Sequence, residues 1–297
     1  MAITRGIYQY DVKYTSRYKK LPSMMNENRI SSQGILIQLV LGKVDIRDLS
    51  GALLYKQNQN YTVLPSRNSG PTSYAVLTDF FGVDIEHSRE RNACDQFLLK
   101  DRRNDFVYSQ ILNELSQYFV RNQVSHIEGF LHLYRLLEFM SFSFPMIFAS
   151  TSMNYKGSFD SLQKYFKGDS SGELKFFKKF IKALYEDDDL TMNYTFSQYI
   201  DVQNISSVES DLRKILNESW FQFSGNTIEF RFCDVIDIFI TIRNRYFHML
   251  LGQGMNNFYS TLEYDINELF HGLNPAFLSW LVQIFTVIEQ EGVKLFS

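Results

Sequence analysis

Cysteine is almost missing from this chain: two in 297 residues, Cys94 and Cys233, far apart and without metal-ligand spacing. That excludes a disulfide framework and a cysteine-built zinc centre, and makes a reducing cytoplasm the expected location. Excess positive charge is missing too. With 30 Lys and Arg against 33 Asp and Glu the net charge is −3, so no global basic field draws in nucleic acid and any RNA site must be local. The N-terminal Met-Ala-Ile-Thr-Arg-Gly-Ile-Tyr lacks the apolar centre of a signal peptide. The longest near-uncharged apolar stretch after Glu138, residues 139–149, is too short to span a bilayer and contains Pro145. A soluble protein without membrane contact is expected. There is no G-x-x-x-x-G-K-[ST] loop, and Gly252-x-Gly254 lacks both the third glycine and the preceding strand of a dinucleotide fingerprint. Neither H-E-x-x-H nor G-x-S-x-G occurs, which removes the zincin and nucleophile-elbow chemistries. Glu186-Asp187-Asp188-Asp189 lacks the alternation and glycine of a calcium loop and reads as a solvated turn, so neither metal nor cofactor is expected.

What is present is globular: 45% hydrophobic and 21% charged residues, with 27 Phe and 18 Tyr. The pattern predicts an α+β protein in two parts. Residues 1–105 form a smaller β-containing region, with a buried strand over 34–41 and shorter ones at 52–56, 61–65 and 73–77 between Gly and Pro punctuation. Tyr8, Tyr10, Lys13, Tyr14, Arg17 and Tyr18 read as an ordinary strand and turn, or as a basic–aromatic surface for RNA. The mixed charges of 88–105 read as a connector. Residues 106–297 form an all-α region, with helices over 106–120, 125–149, 159–166, 174–185, 206–217, 227–251 and 260–270, and a last one opened by Asn274-Pro275. Lys175, Lys178, Lys179 and Lys182 share one helical face, either a phosphate-positioning stripe or a solvated surface.

The centre of the pattern is Ile242-Arg243-Asn244-Arg245-Tyr246-Phe247-His248-Met249, which closes the apolar run 235–242 and precedes Gly252. Asn226-Thr227-Ile228-Glu229 has capping-box spacing, so the spacing predicts one helix over 227–251, roughly 36 Å long and buried in its middle. Four strongly polar side chains then arrive within six positions, so its end either reaches the surface or lines a wet cleft. Asn244 and His248 share a face, while Arg243 lies roughly 140° round from His248 and must curl to meet it. An Arg and a His converging on one phosphate can cleave RNA without metal, the His moving protons and the guanidinium steadying the phosphorane. Transesterification needs an acid and a base, and a second copy of the chain would supply the other His. The alternative is that Arg243 and Arg245 are surface charges and His248 a helix-end histidine.

Arg243-Asn244-x-x-x-His248 resembles the R-[N/H/D]-x-x-x-H motif of HEPN domains, all-helical modules that carry it on a late helix. The resemblance covers the helical pattern of 106–297 and is specific over the six-residue motif. It implies a metal-independent endoribonuclease that leaves a 2′,3′-cyclic phosphate and a 5′-hydroxyl. It also implies a homodimer through the helix carrying Arg243 and His248, with the two motifs facing each other. His248 would be the general acid/base, Arg243 the phosphorane stabiliser and Asn244 a positioning group, with Arg245 and Tyr246 at the RNA substrate. HEPN domains resemble this chain in placing an acidic or polar residue on an early helix near the motif, which points to Glu138; alternatively Glu138 pairs with Arg135 on the helix surface. Many HEPN proteins belong to toxin–antitoxin, CRISPR-linked and abortive-infection systems, so an anti-phage defence or toxin effector is expected, its N-terminal region sensing a trigger or a regulatory protein partner. Some HEPN toxins carry a Tyr two residues after the motif His; that position is Leu250 here, and control through it is not expected. The competing class is a non-catalytic helical subunit that binds RNA or a partner protein, which the negative net charge favours.

Overall fold

Alternation of side chains starts the chain as a hairpin, β1 (Ala2–Arg5) and β2 (Tyr8–Val12), turned at Gly6. Tyr8, Tyr10 and Val12 point inward, which settles those two tyrosines as strand residues of the core. The computed structural model describes residues 2–13, 21–26, 29–62, 73–151, 173–247 and 264–297, with Lys156, Phe159, Asp160 and Gln163 between. Tyr14, Arg17, Tyr18, most of the expected 159–166 helix, His248 and Leu250 lie outside the described residues. β3 (Val44–Arg47) and β4 (Leu53–Tyr55) complete an antiparallel sheet in the order β1-β2-β3-β4.

Several expectations for the first third are corrected. The segment 34–41 is not a strand but helix α1 (Ser32–Val40), capped by Ser31, whose hydroxyl accepts from the amide of Gly34 at 3.2 Å. All nine of its residues are buried, so its sequence shows neither a period of 2 nor one of 3.6. The expected strand at 73–77 is the start of α2 (Ser73–Phe81). The expected connector is α3 (Ser88–Asp101), whose charges surround a narrow buried stripe of Ala93, Cys94, Phe97 and Leu98. Tyr61 and Thr62 belong to no strand, and the rest of 61–65 is outside the described residues.

The helical reading of the next segments holds. α4 (Asp105–Arg121) and α5 (His126–Thr151) form a hairpin across a four-residue link, with Pro145 accommodated inside α5. The first sheet packs on α4: Tyr10 Oη meets Ser116 Oγ at 2.9 Å, and Tyr55 stacks on Phe119 with centroids 4.9 Å apart. α6 (Glu173–Leu184) and the short α7 (Asp189–Met192) follow, the latter capped by Asp188, which explains part of the acid run as a helix start.

A second sheet then appears where a long helix was expected. β5 (Thr195–Tyr199), β6 (Phe221–Ser224) and β7 (Thr227–Arg231) pair antiparallel in the order β5-β7-β6, with α8 (Ile205–Ile215) between β5 and β6. α8 starts one residue before the expected 206 and is capped by Asn204, whose side chain accepts from the Ser207 amide at 3.4 Å. The apparent capping box at 226–229 is instead the turn and first residues of a hairpin. Gly225 takes φ +59°, and Ile228 and Phe230 point inward opposite Phe223 and Phe221. The apolar helix is therefore α9 (Val235–Phe247), entered through a 3₁₀ turn at Phe232–Asp234.

The last element, α10 (Ile266–Lys294), is one helix of 29 residues through Pro275, not two. It is capped by Asp265, and the buried Asn274 amide nitrogen donates to Asn122 Oδ1 and to the His126 carbonyl, each at 2.8 Å. α10 is long and apolar enough to cross a membrane, but 78% of that apolar window is buried within the fold, as expected of a core helix. It packs on α5, α2 and α3, so residues before and after 105 share one hydrophobic core that runs from Tyr8 to Val293. The fold is mixed α+β, 63% helical with two small sheets.

Candidate functional site

Position of the motif helix is fixed by aromatic packing. Phe239 stacks on Phe277 of α10 with centroids 4.2 Å apart, and meets Phe130 and Tyr134 of α5 edge-on at 5.1 and 5.9 Å. One turn before the end of the described helix this packing gives way to Arg243. Its guanidinium lies over the Tyr134 ring, Cζ 4.9 Å from the centroid, and Nη1 donates to Asn244 Oδ1 at 3.2 Å. Phe247 then stacks on Phe130, centroids 5.5 Å apart and planes within 13°, which locks the helix end against α5.

Tyr134 links two residues that sequence reasoning selected separately. Burial raises the pKa of its hydroxyl, the Arg243 charge lowers it, and the Glu138 charge raises it again. Arg243, Asn244, Tyr134 and Glu138 therefore share one neighbourhood. Glu138 is on the exposed face of α5, one turn beyond Tyr134. Its expected surface partner, Arg135, is instead held by Glu114 of α4 at 3.1 Å, and the same carboxyl group takes His132 Nδ1 at 2.9 Å. Tyr134 itself escaped notice in the sequence because it reads as one more apolar position of a broad helical face; only its i, i+4 spacing to Glu138 hints otherwise.

Arg245 and Tyr246 are not brought to this neighbourhood. Arg245 projects about 200° round the helix from Arg243, and its Nη2 donates to Asp211 Oδ1 of α8 at 3.0 Å. Tyr246 Oη donates to Asp211 Oδ2 at 3.2 Å and shares a short bond with Tyr264 Oη, which itself donates to Asp211 at 2.7 Å. Burial pushes the Tyr246 hydroxyl well up, with Tyr264 and Asp211 adding to the effect. These two side chains fasten α9 to α8 and to Tyr264 before α10, which is a structural role.

Two further clusters carry titratable side chains. The lysine stripe of α6 is exposed at Lys175, Lys178, Lys179 and Lys182, and Lys178 pairs with Asp237 of α9. The stripe therefore runs beside the motif helix instead of elsewhere on the surface. At the start of α5, the His126 and His271 rings lie 4.5 Å apart between centroids. His126 is pushed below the usual histidine range by burial and then by His271. Nothing in the sequence joins residues so far apart, and the pair was not anticipated.

Among the described residues no group of three or more His, Cys, Asp and Glu is placed to hold a metal ion. Cys94 is buried inside α3, its thiol pushed up to about 12 by burial, and Cys233 sits in the 3₁₀ turn before α9, not on the helix proper. Compared with protein-family models, curated proteins and solved structures, the chain matches none.

Proposed function

We propose that this chain is a HEPN-like, metal-independent endoribonuclease acting in the cytoplasm as a bacterial defence or toxin effector. The observation that carries this reading is Arg243, held by the face of Tyr134 and the amide of Asn244 near the end of the described apolar helix, with His248 five residues further along the sequence. A guanidinium has five donors in a planar fork suited to two phosphate oxygens at once. Here one of those N–H groups meets an acceptor among the described residues, and the ring face orients the fork without consuming donors.

In the reaction, the ribose 2′-oxygen attacks the adjacent phosphorus while a neutral His248 imidazole takes its proton. The P–O5′ bond breaks as the imidazolium of the second copy gives a proton to the leaving 5′-oxygen, leaving a 2′,3′-cyclic phosphate and a 5′-hydroxyl. Arg243 stabilises the charge of the pentacoordinate phosphorane. Asn244 positions Arg243 through its amide oxygen. Lys175 and Lys182, exposed on the neighbouring helix, would contact flanking phosphates. The supply of both acid and base requires a homodimer.

Two observations favour a second reading, a helical subunit that binds RNA or a partner protein without cutting. Arg245 and Tyr246, two further polar residues of the stretch, are occupied inside the fold, and the net charge is negative. The two readings separate on total RNA incubated with EDTA and wild type, Arg243→Ala or His248→Ala at equal folded fraction. Cleavage by wild type that both variants lose supports the nuclease. Cleavage that survives in His248→Ala removes His248 from the chemistry, and binding without cleavage in all three favours the subunit.

A further inference from the structure

The inward residues of α5 (Phe130, Leu133, Leu136, Leu137, Met140, Phe144) leave an outward row at Leu131, Arg135, Glu138, Phe142 and Met146. Its spacing of 4, 3, 4 and 4 is that of a helix–helix seam. The row is open: Leu131 is 37% exposed, Phe142 66% and Met146 50%, unusual for large apolar side chains at such regular spacing. α9, by contrast, has no fully exposed residue between Val235 and Phe247.

The row is also its own complement. Run antiparallel to a copy of itself about a point between Leu136 and Leu137, Arg135 falls opposite Glu138 and Glu138 opposite Arg135. In the same register Leu131 falls opposite Phe142, and the half-buried Ile127 opposite Met146. Every apolar residue meets an apolar one and each charge meets its opposite, twice. A heterologous partner has no reason to impose that palindrome; an isologous two-fold contact does, because residue i meets j and j meets i. Arg135 already gives Nη2 to Glu114 at 3.1 Å, yet its side chain remains 61% exposed, which leaves much of its fork to solvent and to a second carboxylate.

We infer that α5 is the contact surface of a homodimer, packed antiparallel on the α5 of a second copy with Arg135 and Glu138 exchanged across the two-fold axis. The contact does not depend on the nuclease reading. Joined to it, the contact has a consequence for the site: Tyr134 lies within about 4 Å of the axis measured along the helix, so the Tyr134–Arg243 pairs of both copies approach one another. A contact built mainly on one helix face is at the small end of specific interfaces, so dissociation in the micromolar range is expected.

The test is sedimentation of the full chain at low salt and at tens of micromolar, with circular dichroism to confirm folding. Wild type should sediment as a dimer. Arg135→Glu and Glu138→Arg should each be monomeric, association falling roughly a hundredfold or more because like charges face each other twice. Mixed in equal amounts, the two variants should dimerise again, since one copy then carries two acids and the other two bases. Phe142→Asp should be monomeric and unrescued by either. A monomeric wild type overturns the proposal, as does a dimer indifferent to both charge reversals; failure of the mixture to associate overturns the register. RNA cleavage is scored separately: an inactive dimer defeats the nuclease reading and spares the interface, whereas an active monomer defeats the interface and the supply of the acid by a second copy, and leaves only metal-free cleavage standing.

Discussion

Arg243 rests on the face of Tyr134, its guanidinium carbon 4.9 Å from the ring centroid, and this contact joins the motif helix to the helix of Glu138. A guanidinium so placed contributes about 0.5–2 kcal/mol, depending on how far it is desolvated. Tyr134→Phe keeps the ring and should leave both stability and RNA cleavage near wild type. Tyr134→Leu removes the π face and should lower the unfolding free energy by about 1–2 kcal/mol, with a further loss of cleavage at equal folded fraction. Urea unfolding and cleavage in EDTA, run on both variants, check it. If Tyr134→Leu cuts as well as Tyr134→Phe, the ring does not orient the guanidinium for chemistry.

Asp211 behaves differently, because it neutralises a half-buried charge. Its carboxylate accepts from Arg245, Tyr246 and Tyr264, and the Arg245 and Asp211 side chains are only 12% and 14% exposed. Removing one member of such a pair strands the other, so Asp211→Ala should cost about 3 kcal/mol of stability. Arg243→Ala, which strands no carboxylate among the described residues, should cost no more than about 1–2 kcal/mol while losing the proposed activity. Equal destabilisation by the two variants would place both arginines in the scaffold.

Some of this organisation was legible in the sequence and some was hidden for identifiable reasons. α4 and α5 are half-exposed helices, so their apolar residues recur at 3–4 spacing and their limits follow. α1 is buried on every side, its polar Ser32, Gln33 and Gln38 included, so no exposed face is left to give the sequence a period. α3 has the opposite problem: its buried stripe is four residues wide in a mean composition that is strongly polar. The segment 225–231 satisfies two local rules at once, the capping box and the Gly-Asn hairpin turn, and only pairing with β5 and β6 decides for the strand. At the site, the polar end of the apolar helix was legible. That Arg243 and Arg245 would be drawn to different neighbours was not, because Tyr134 and Asp211 lie on other helices.

Gly42 closes α1 at φ +76°, a conformation that costs an L-residue about 1 kcal/mol or more. A Cβ there would also come within 2.6 Å of the Gln59 carbonyl oxygen, and that backbone is tied down by the bond from Tyr61 N to Val40 O at 2.9 Å. Gly42→Ala should therefore lose about 2–3 kcal/mol, more than the dihedral cost alone. Gly51, at φ +90° with open space around it, is the control: Gly51→Ala should lose only the dihedral cost. Thermal unfolding of both variants measures the difference, and equal losses would mean that the approach of Gln59 relaxes.

The most consequential buried group outside the site is Glu289, which has no cationic partner among the described residues. Tyr108 Oη lies 2.5 Å from Asp101 Oδ2 and 3.2 Å from Glu289 Oε1, while Gln33 Nε2 donates to both carboxyl groups, at 3.1 Å and 2.9 Å. A hydroxyl has one proton to give. With that proton on the Asp101 side, the contact to Glu289 needs a proton from Glu289 itself, so the chain of bonds runs from a neutral Glu289 through Tyr108 to Asp101. Burial raises the Asp101 pKa as well, but Asp101 is the better anion of the two, since Tyr108 and Asn104 donate to it and the Arg103 charge favours it. Burial, and then the Asp101 charge, raises the Glu289 pKa well above its ordinary 4.5. The sign follows: the folded state holds a proton that the unfolded state releases above pH 4.5, so this stabilisation is complete below that pH and is lost as pH rises through the folded pKa. His126 works in the opposite sense below its ordinary 6.5, so the comparison must be between wild type and one variant across the range. Glu289→Gln keeps the shape and a donor without a titrating proton. Its stability relative to wild type, from urea midpoints between about pH 5 and pH 9, should rise steadily with pH, whereas a difference independent of pH would show that Glu289 is already ionised in the fold.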